Sequence, residues 1–362
     1  MQVVLTGGGT GGHVYPGLAV AGALRDATGG EVALVWIGTS GGAEAELAVR
    51  AHVPFHAVHA AGVRGRSPVG VARGVLTLAA GTVQAWRLLA RKRPDVVFAT
   101  GGYASVPVAV AAWLRRTPLV VYLPDLEPGW AVRFLARLAA RVAVTAEEAA
   151  RRLPRHKTAV TGYPVREGFG AVERAEARRR LGLDPELRTV LVSGATHGAH
   201  SINRAVANAL PGLLELGQVI HLCGRRDEPW LRELRERLPE EVRARYLVFG
   251  YLTEMPLAMA AADLAVLRSG ASVLGELPMA GLPAVLVPYP HAGAHQRANA
   301  AYLAGRGGAV VLDDADLERL LPLVRELLAD GARLEAMAAA MRALARPDAA
   351  QAIARIIQEV AA

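Results

Sequence analysis

The sequence predicts an α/β protein built of two parallel-sheet domains, and three observations carry that prediction. Short apolar runs rich in Val, Ile and Leu alternate with helical patterns along all 362 residues. Runs apolar on both faces are what parallel strands covered by helices look like. A strand at Val3–Leu5 opens into TGGGTGGH, five glycines between Gly7 and Gly12 ahead of His13. A second copy of that opening stands at Thr189–Ser193, TVLVS, followed by GATHGAH and the helical SINRAVANAL. Aligned, Gly194 lies over Gly7, Gly198 over Gly11 and His200 over His13. Two such turns imply two Rossmann-like domains, each with its ligand crevice at the C-terminal ends of its strands, facing each other across a cleft.

The elements follow in order. The first half is expected to hold strands at Val3–Leu5, Val32–Ile37, Phe55–Val58, Val96–Ala99, Leu119–Leu123 and Val142–Thr145. The second half is expected to hold Ala159–Thr161, Thr189–Val192, Val219–Cys223, Leu247–Phe249, Leu264–Leu267, Ala284–Val287 and Ala309–Leu312. The first helix is expected past the proline, at Gly17–Leu24, with His13 in the glycine loop. Glycines let backbone N–H groups approach an anion, and a helix N-terminus points its partial positive charge at the same spot. The expected ligand is a phosphate or pyrophosphate. The spacing is neither GxGxxG with a following acid nor GxxxxGK[ST], and a ligand-free turn needs far fewer glycines. The seam falls at GYPVREGFG, Gly162–Gly170, before a charged helix at Glu173–Leu181. This places one domain at 1–163 and a second at 164–345. In the remainder, 346–362, a last helix at Ala349–Ala361 is expected to cross back onto the first domain.

Composition narrows the partners. The chain is 52% hydrophobic and 20% charged, with net charge +8, so an anionic partner is expected. Aromatics are only 5% and no nucleic-acid-binding signature is present, which disfavours nucleic acid. One cysteine, Cys223, excludes a disulfide framework and reads as a buried, inert thiol. No secretion signal is expected, and the longest charge-free apolar run, Ala104–Leu114, is too short to span a bilayer.

The second half carries the denser nucleotide-like features. In LRSGASVLGELPMAGLP, Leu267–Pro283, a strand end meets a Ser-Gly turn and a helix from about Ala271, which Ser269 is expected to N-cap. Glu276 lies one and a half turns in, where a carboxylate accepts ribose hydroxyls. Alone it reads as a surface glutamate. Downstream, VPYPHAGAHQRANA sets His291, His295, Gln296 and Asn299 in a loop entering a helix, suited to sugar hydroxyls.

GGTGGHVYPGLAVA, GGYASVPV, GYPVRE and RSGA…E…AGLPAVLVPYPH…Q…NA together resemble the MurG-like N-acetylglucosaminyltransferases of glycosyltransferase family 28. The resemblance spans Gly7 to Asn299. It implies a GT-B fold and inverting, metal-independent transfer of GlcNAc from UDP-GlcNAc to the MurNAc of an undecaprenyl-type lipid-pyrophosphate acceptor. By motif position it implies that Arg166 and the backbone at Leu252 hold uracil and that Glu276 holds the ribose. Thr196 with Ser269, Gly270 and Ala271 would take the phosphates, and His295 and Gln296 the GlcNAc. Thr10, Gly11, Gly12, His13, Gly102 and Tyr103 fall on the acceptor side. No cofactor and no metal are implied, and the expected place is the cytoplasmic face of the cell membrane, as a peripheral protein on anionic lipid.

The chain departs from the family in two places. YLPDLEPG, with Asp125, stands where the family has His-Glu-Gln-Asn, and His295-Gln296 replaces a Gln-Gln pair. The first leaves open a related glycolipid synthase with a diacylglycerol-type acceptor. UDP-sugar 2-epimerases share the two-domain plan but call for other acidic residues. For the base, His13 has a suitable intrinsic pKa; holding the acceptor pyrophosphate is its alternative role, and Asp125 and Glu127 are the alternative bases. His52, His56 and His59 straddle a strand and lack companion ligands. Asp314-Ala315-Asp316 is expected to N-cap a helix rather than bind metal, and Arg64 and Arg66 bind phosphate or solvate a loop. Between Pro68 and Arg93, Leu76, Val83 and Trp86 share a helix face with Arg73, Arg87, Arg91, Lys92 and Arg93 close by, a candidate membrane dock.

Overall fold

The computed structural model describes residues 1–8, 11–62, 67–194, 198–291 and 294–362. They divide into two compact units, Met1–Arg166 with Arg346–Ala362, and Glu167–Ala345. The division falls after Arg166, three residues beyond the expected break, so Arg166 belongs to the first unit.

In that unit β1 (Gln2–Thr6) leads to α1 (Gly11–Ala27), β2 (Ala33–Gly38) to α2 (Ala43–Arg50), and β3 (Phe55–Ala57) to α3 (Pro68–Lys92). Then come β4 (Val96–Ala99), α4 (Ser105–Leu114), β5 (Leu119–Leu123), α5 (Trp130–Leu138), β6 (Arg141–Val144), α6 (Glu147–Ala150) and β7 (Thr158–Val160). All seven strands are parallel, in the order β3-β2-β1-β4-β5-β6-β7. The segment at Ala159–Thr161, expected with the second half, is thus the closing edge of the first sheet.

The second unit runs through α7 (Arg174–Arg180), β8 (Thr189–Ser193), α8 (His200–Leu216), β9 (Gln218–Leu222), α9 (Glu228–Glu236), α10 (Glu240–Arg243) and β10 (Tyr246–Phe249). It continues with α11 (Met255–Ala261), β11 (Leu264–Leu267), α12 (Val273–Ala280), β12 (Ala284–Leu286), α13 (Ala294–Ala304), β13 (Ala309–Val311), α14 (Leu320–Ala329) and α15 (Gly331–Leu344). Its six parallel strands lie in the order β10-β9-β8-β11-β12-β13. The last helix, α16 (Ala349–Ala361), packs on α1 and against β4, β5 and β6 of the first unit.

The central strands have no polar face because helices cover both sides. Val3, Val4 and Leu5 are completely buried, as are Val97, Phe98, Val120 and Val121 beside them. Each such side chain contributes about 1.5–3 kcal/mol on leaving water. Ile353 and Ile357 of α16 are equally buried, which explains the return of the chain's end to this sheet. Among the described residues no helix is long and apolar enough to cross a membrane.

One helix begins earlier than expected. α1 starts at Gly11 and contains Pro16, so His13 sits in its first turn rather than in a loop. Pro16 has no N–H for the Gly12 carbonyl four residues back. The Tyr163 hydroxyl donates to that carbonyl instead, at 3.4 Å.

Candidate functional site

In each sheet the chain order reverses beside the first strand of the unit, between β1 and β4 and between β8 and β11. Ligands of open parallel sheets bind outside the strand C-termini at such a switch point. Four glycine-bearing turns stand at these two places: Gly7–Gly8 after β1, Gly101–Gly102 after β4, Gly194 and Gly198 after β8, and Ser269–Gly270 after β11.

The first unit brings its acceptor-side candidates together. Thr100, at the end of β4, donates through Oγ1 to the His13 carbonyl at 2.5 Å, tying α1 to the β4 turn. Gly102 has φ +76°, and a Cβ there would overlap the Gly8 carbonyl oxygen, so only glycine lets the two turns meet. A Cβ on Gly101 would lie 3.3 Å from Cδ2 of the His13 ring, which puts the imidazole against this turn. The Ser105 hydroxyl donates to the Gly102 carbonyl at 2.8 Å, and Tyr103 between them is exposed. Gly11 is buried and Gly12 half-buried at the head of α1. Thr10, Arg64 and Arg66 lie outside the described residues.

Asp125 stands half-buried beyond the end of β5. Before it, Tyr122 is wholly buried and bonds the Thr145 hydroxyl at 2.8 Å and the Gly162 carbonyl at 3.2 Å. Burial first, and the nearby Asp125 charge to a lesser degree, push the Tyr122 phenol well above its ordinary pKa. Glu127 is ion-paired with Arg152, which engages its carboxylate. Arg166, expected over uracil with the donor residues, stacks its guanidinium on the Tyr15 ring of α1 at 4.2 Å. Its Nε is buried without a partner among the described residues.

In the second unit the Ser269 turn corrects one expectation. The N-cap position of α12 is Ser272, and Ser269 Oγ donates to the Gln296 carbonyl at 2.8 Å. Asn299 Nδ2 donates to the Ser269 carbonyl at 3.1 Å, and the Gln296 side-chain oxygen accepts the Tyr289 N–H at 2.9 Å. Asn299 is completely buried and braces the turn. His295 and Gln296 occupy the first turn of α13 and are half-buried, while His291 is exposed with its ring against Tyr289. The first amide engaged within the turn is that of Val273, which donates to Gly270 at 3.2 Å. Gly270 has open space over its Cα and Ala271 is buried behind it. Glu276 follows in the first turn of α12, 9% exposed. Leu252 lies half-buried after the edge strand β10, and Thr196 lies outside the described residues.

Two clusters escaped sequence reasoning. Arg268, buried at the end of β11, pairs with Asp314 at 2.6 Å, donates to Ser201 Oγ at 2.7 Å and reaches the Val287 carbonyl at 3.2 Å. One cation thereby holds α8, the loop before α13 and Asp314. Asp314 begins a 3-10 helix and spends its carboxylate on Arg268 and Ser201; the N-cap position, Asp313, makes no capping bond, so the expected capping role of this stretch is wrong. A charged residue closing an apolar strand was the available signal for Arg268.

The second cluster runs through the interior. His221 Nδ1 meets the Tyr246 hydroxyl at 2.8 Å, and its Nε2 meets Asn203 Oδ1 at 3.0 Å. Asn203 Nδ2 donates to Asp227 and to the Cys223 carbonyl, both at 2.8 Å, and Asp227 also meets His200 Nδ1 at 2.9 Å. Because Asn203 donates through its nitrogen, its oxygen accepts from His221 Nε2–H, leaving Nδ1 to accept from Tyr246. Burial drives the His221 pKa down to about 3, so the ring is neutral. Burial alone would raise the Asp227 pKa, but hydrogen bonds from Asn203, His200 and Trp230 outweigh it and hold it low. Cys223 is buried just past β9, and burial pushes its thiol up to about 11, inert as expected.

A cavity of about 360 Å³ beside Tyr289, Arg297 and Asp313 is lined by none of Ser269, Glu276 or Gln296. Arg297 and Asp313, ion-paired at 2.9 Å, are both part of its lining. No group of three or more His, Cys, Asp or Glu placed to hold a metal occurs among the described residues.

Residues 3–144 match the glycosyltransferase family 28 N-terminal domain and residues 189–353 the family's C-terminal domain. A UDP-N-acetylglucosamine--N-acetylmuramyl-(pentapeptide) pyrophosphoryl-undecaprenol N-acetylglucosamine transferase of Roseiflexus sp. (strain RS-1) is 44% identical, over 99% of this chain and 94% of its own. The protein of the same name from Moorella thermoacetica is 41% identical, over 99% of this chain and 98% of its own. Among solved structures, MurG of Acinetobacter baumannii has TM-score 0.74 at 26% identity, covering 99% of each chain. The UDP-GlcNAc 2-epimerase of Neisseria meningitidis reaches TM-score 0.73 at only 11% identity, a likeness of fold alone. The two parallel-sheet units are those of a GT-B fold. With both family domains present in order and relatives above two-fifths identity along the full length, the chain belongs to glycosyltransferase family 28 and is a hexosyltransferase.

Proposed function

We propose that this chain transfers GlcNAc from UDP-GlcNAc to the MurNAc of an undecaprenyl-diphosphate-linked pentapeptide, with inversion and without a metal. The observation that carries the reading is the full-length match to transferases of that printed name, which favours it over a diacylglycerol acceptor. The site chemistry fits. A MurNAc hydroxyl attacks the anomeric carbon as the bond from that carbon to the diphosphate oxygen breaks, and UDP departs with the electron pair. His13 takes the hydroxyl proton. Amides of Gly270 and Ala271 and the N-terminus of α12 stabilise the charge on the departing diphosphate, a preorganised electrostatic effect. Supplying UDP-GlcNAc or UDP-Glc with either a lipid-diphosphate or a diacylglycerol acceptor, and measuring UDP release, tests the assignment. Release only with a diacylglycerol overturns it.

Glu276 holds the donor ribose in this reading. Glu276→Ala is expected to weaken UDP binding by about 1–3 kcal/mol, the cost of a lost charge-assisted hydrogen bond. Calorimetry with UDP checks it, and unchanged affinity removes Glu276 from the donor site.

A lipid acceptor requires a docking surface, and exposed apolar and basic side chains of the first unit support one along α3. Gly81, Ala85 and Leu89 turn the small side of α3 inward, where the helix packs on α4. The opposite stripe is bare: Leu76 is 70% exposed and Trp86 44%, with Val83 between them. Trp113, Leu114, Trp130 and Phe134 on α4 and α5 are exposed as well. Arg115 lies over the Trp86 ring at 4.9 Å, and Arg73, Arg87, Arg91 and Arg93 are exposed along α3. Apolar insertion with basic attraction binds a peripheral protein to anionic lipid, each basic group contributing about 1 kcal/mol. The triple variant Trp86→Ser, Arg87→Glu, Arg91→Glu is expected to lose sedimentation with anionic liposomes while keeping UDP affinity. Unchanged sedimentation refutes this dock.

A further inference from the structure

Glu44, in the first turn of α2, is a carboxylate with no exposed surface. Three glycines make room for it. A Cβ on Gly8 or Gly42 would run into the Glu44 carboxylate, and one on Gly38 would lie 2.9 Å from its Cγ. The side chain therefore turns inward from α2 and ends against the backbone of Gly8, in the loop that feeds α1. Thr39 braces it from two directions, its backbone N–H at 3.1 Å and its hydroxyl at 2.5 Å both donating to Oε1. Burying a carboxylate is costly unless hydrogen bonds surround it, and a glutamate serving only the start of α2 would stay in water near the free amides. This one is held by Thr39 with its carboxylate close against Gly8.

We propose that Glu44 is a positioning residue for the acceptor side: braced by Thr39, its carboxylate fixes Gly8, and with it the approach of the first glycine loop to α1, in the shape that receives a diphosphate. The proposal rests on the acceptor reading of that loop given above. Glu44 is not itself a ligand, since a carboxylate and a diphosphate repel each other. It acts through the backbone, and its partners, Thr39 and the loop, lie wholly in the first unit.

The test has two readouts. Hydrogen exchange in the ligand-free protein, over peptides covering β1 and the first turns of α1, reads the loop directly. Steady-state kinetics with UDP-GlcNAc and a lipid-diphosphate acceptor read its use. Glu44→Ala is expected to speed exchange there and to raise acceptor KM at least about tenfold, within the ~10²-fold cost of a 1 Å misplacement. Affinity for UDP and exchange in the second unit stay as in the unaltered enzyme, and Glu44→Gln, which keeps the shape, restores most of the loss. Gly8→Ala is expected to show the same acceptor defect, because its methyl meets the carboxylate, and adding it to Glu44→Ala is expected to cost nothing further. Should Glu44→Ala destabilise the fold, Thr39→Val removes one brace and is expected to give the same pattern more weakly. The proposal is overturned if exchange and acceptor KM are unchanged, or if KM rises equally for both substrates as the melting temperature falls. If the unaltered enzyme releases no UDP with any lipid diphosphate, the acceptor reading fails, and exchange alone still decides the role of Glu44.

Discussion

Replacing His13 with alanine is expected to lower kcat by about 10²–10⁴-fold, the contribution of a positioned general base. The ring is placed for such work. Its backbone is pinned by Thr100 from the end of β4, and the side chain lies beside the Gly101 turn, where no Cβ intervenes. Of the alternative bases, Glu127 is ion-paired with Arg152, and Asp125, half-buried beyond β5, is the one to compare by the same substitution. UDP affinity is expected to be unaffected, because Ser269–Ala271 and Glu276, the proposed nucleotide contacts, lie in the other unit. Single-turnover rates and KM for both substrates check the result. A rise in acceptor KM alone assigns His13 to the acceptor diphosphate instead, and unaltered kinetics for both substrates would falsify either role.

Loss of Asp263 is expected to cost about 3–5 kcal/mol of stability, the penalty for leaving a buried charge uncompensated. This carboxylate, 4% exposed, meets Arg178 at 2.5 Å through Oδ2 and both Arg174 and Arg188 at 3.2 Å through Oδ1. It also accepts the Thr189 N–H at 2.7 Å, at the first residue of β8. Arg178 is almost as buried, and burial lowers its pKa although the Asp263 charge opposes the shift. Asp263→Ala strands that guanidinium and unties α7 from the sheet. Asp263→Asn keeps the shape and loses the charge, so a smaller loss is expected. Urea denaturation followed in each variant reads both numbers. A loss below about 1 kcal/mol, the size of an exposed ion pair, shows that water has replaced the carboxylate and refutes the argument.

The strands were plain in the sequence because each is a continuous apolar run cut off by Gly, Pro or charge; every one of them lies within a residue of its expected place. The turns at the switch points were legible because glycines cluster there at the ends of apolar runs, where backbone segments meet too closely for a side chain. What stayed hidden depends on contacts far apart in the chain. Pro16 argued for a later helix start, and only the Tyr163 hydroxyl, supplied from the seam, shows how α1 tolerates it. Ser269 has the identity of a cap, but the carbonyl of Gln296 takes its hydroxyl first. Asp314 and Arg268 find each other across separate segments, and nothing local to either residue announces the pair. Arg166 was legible as a motif position, but its stacking on Tyr15, far away in the chain, was not.

The neutral His221 makes the second unit acid-sensitive. Above pH 6.5 the ring is uncharged whether the chain is folded or not. Between pH 6.5 and about 3 the unfolded chain takes up a proton that the folded protein refuses. Stability therefore declines as the pH falls through that window, by about 1.4 kcal/mol for each pH unit, and levels off below it. Protonation also turns Nδ1 from acceptor to donor, so the Tyr246 hydroxyl must swing round, while Asn203 keeps its place. A chain of hydrogen bonds satisfied in only one direction thus doubles as a titration-driven release, with urea midpoints collected from pH 7 down to pH 4 as its record.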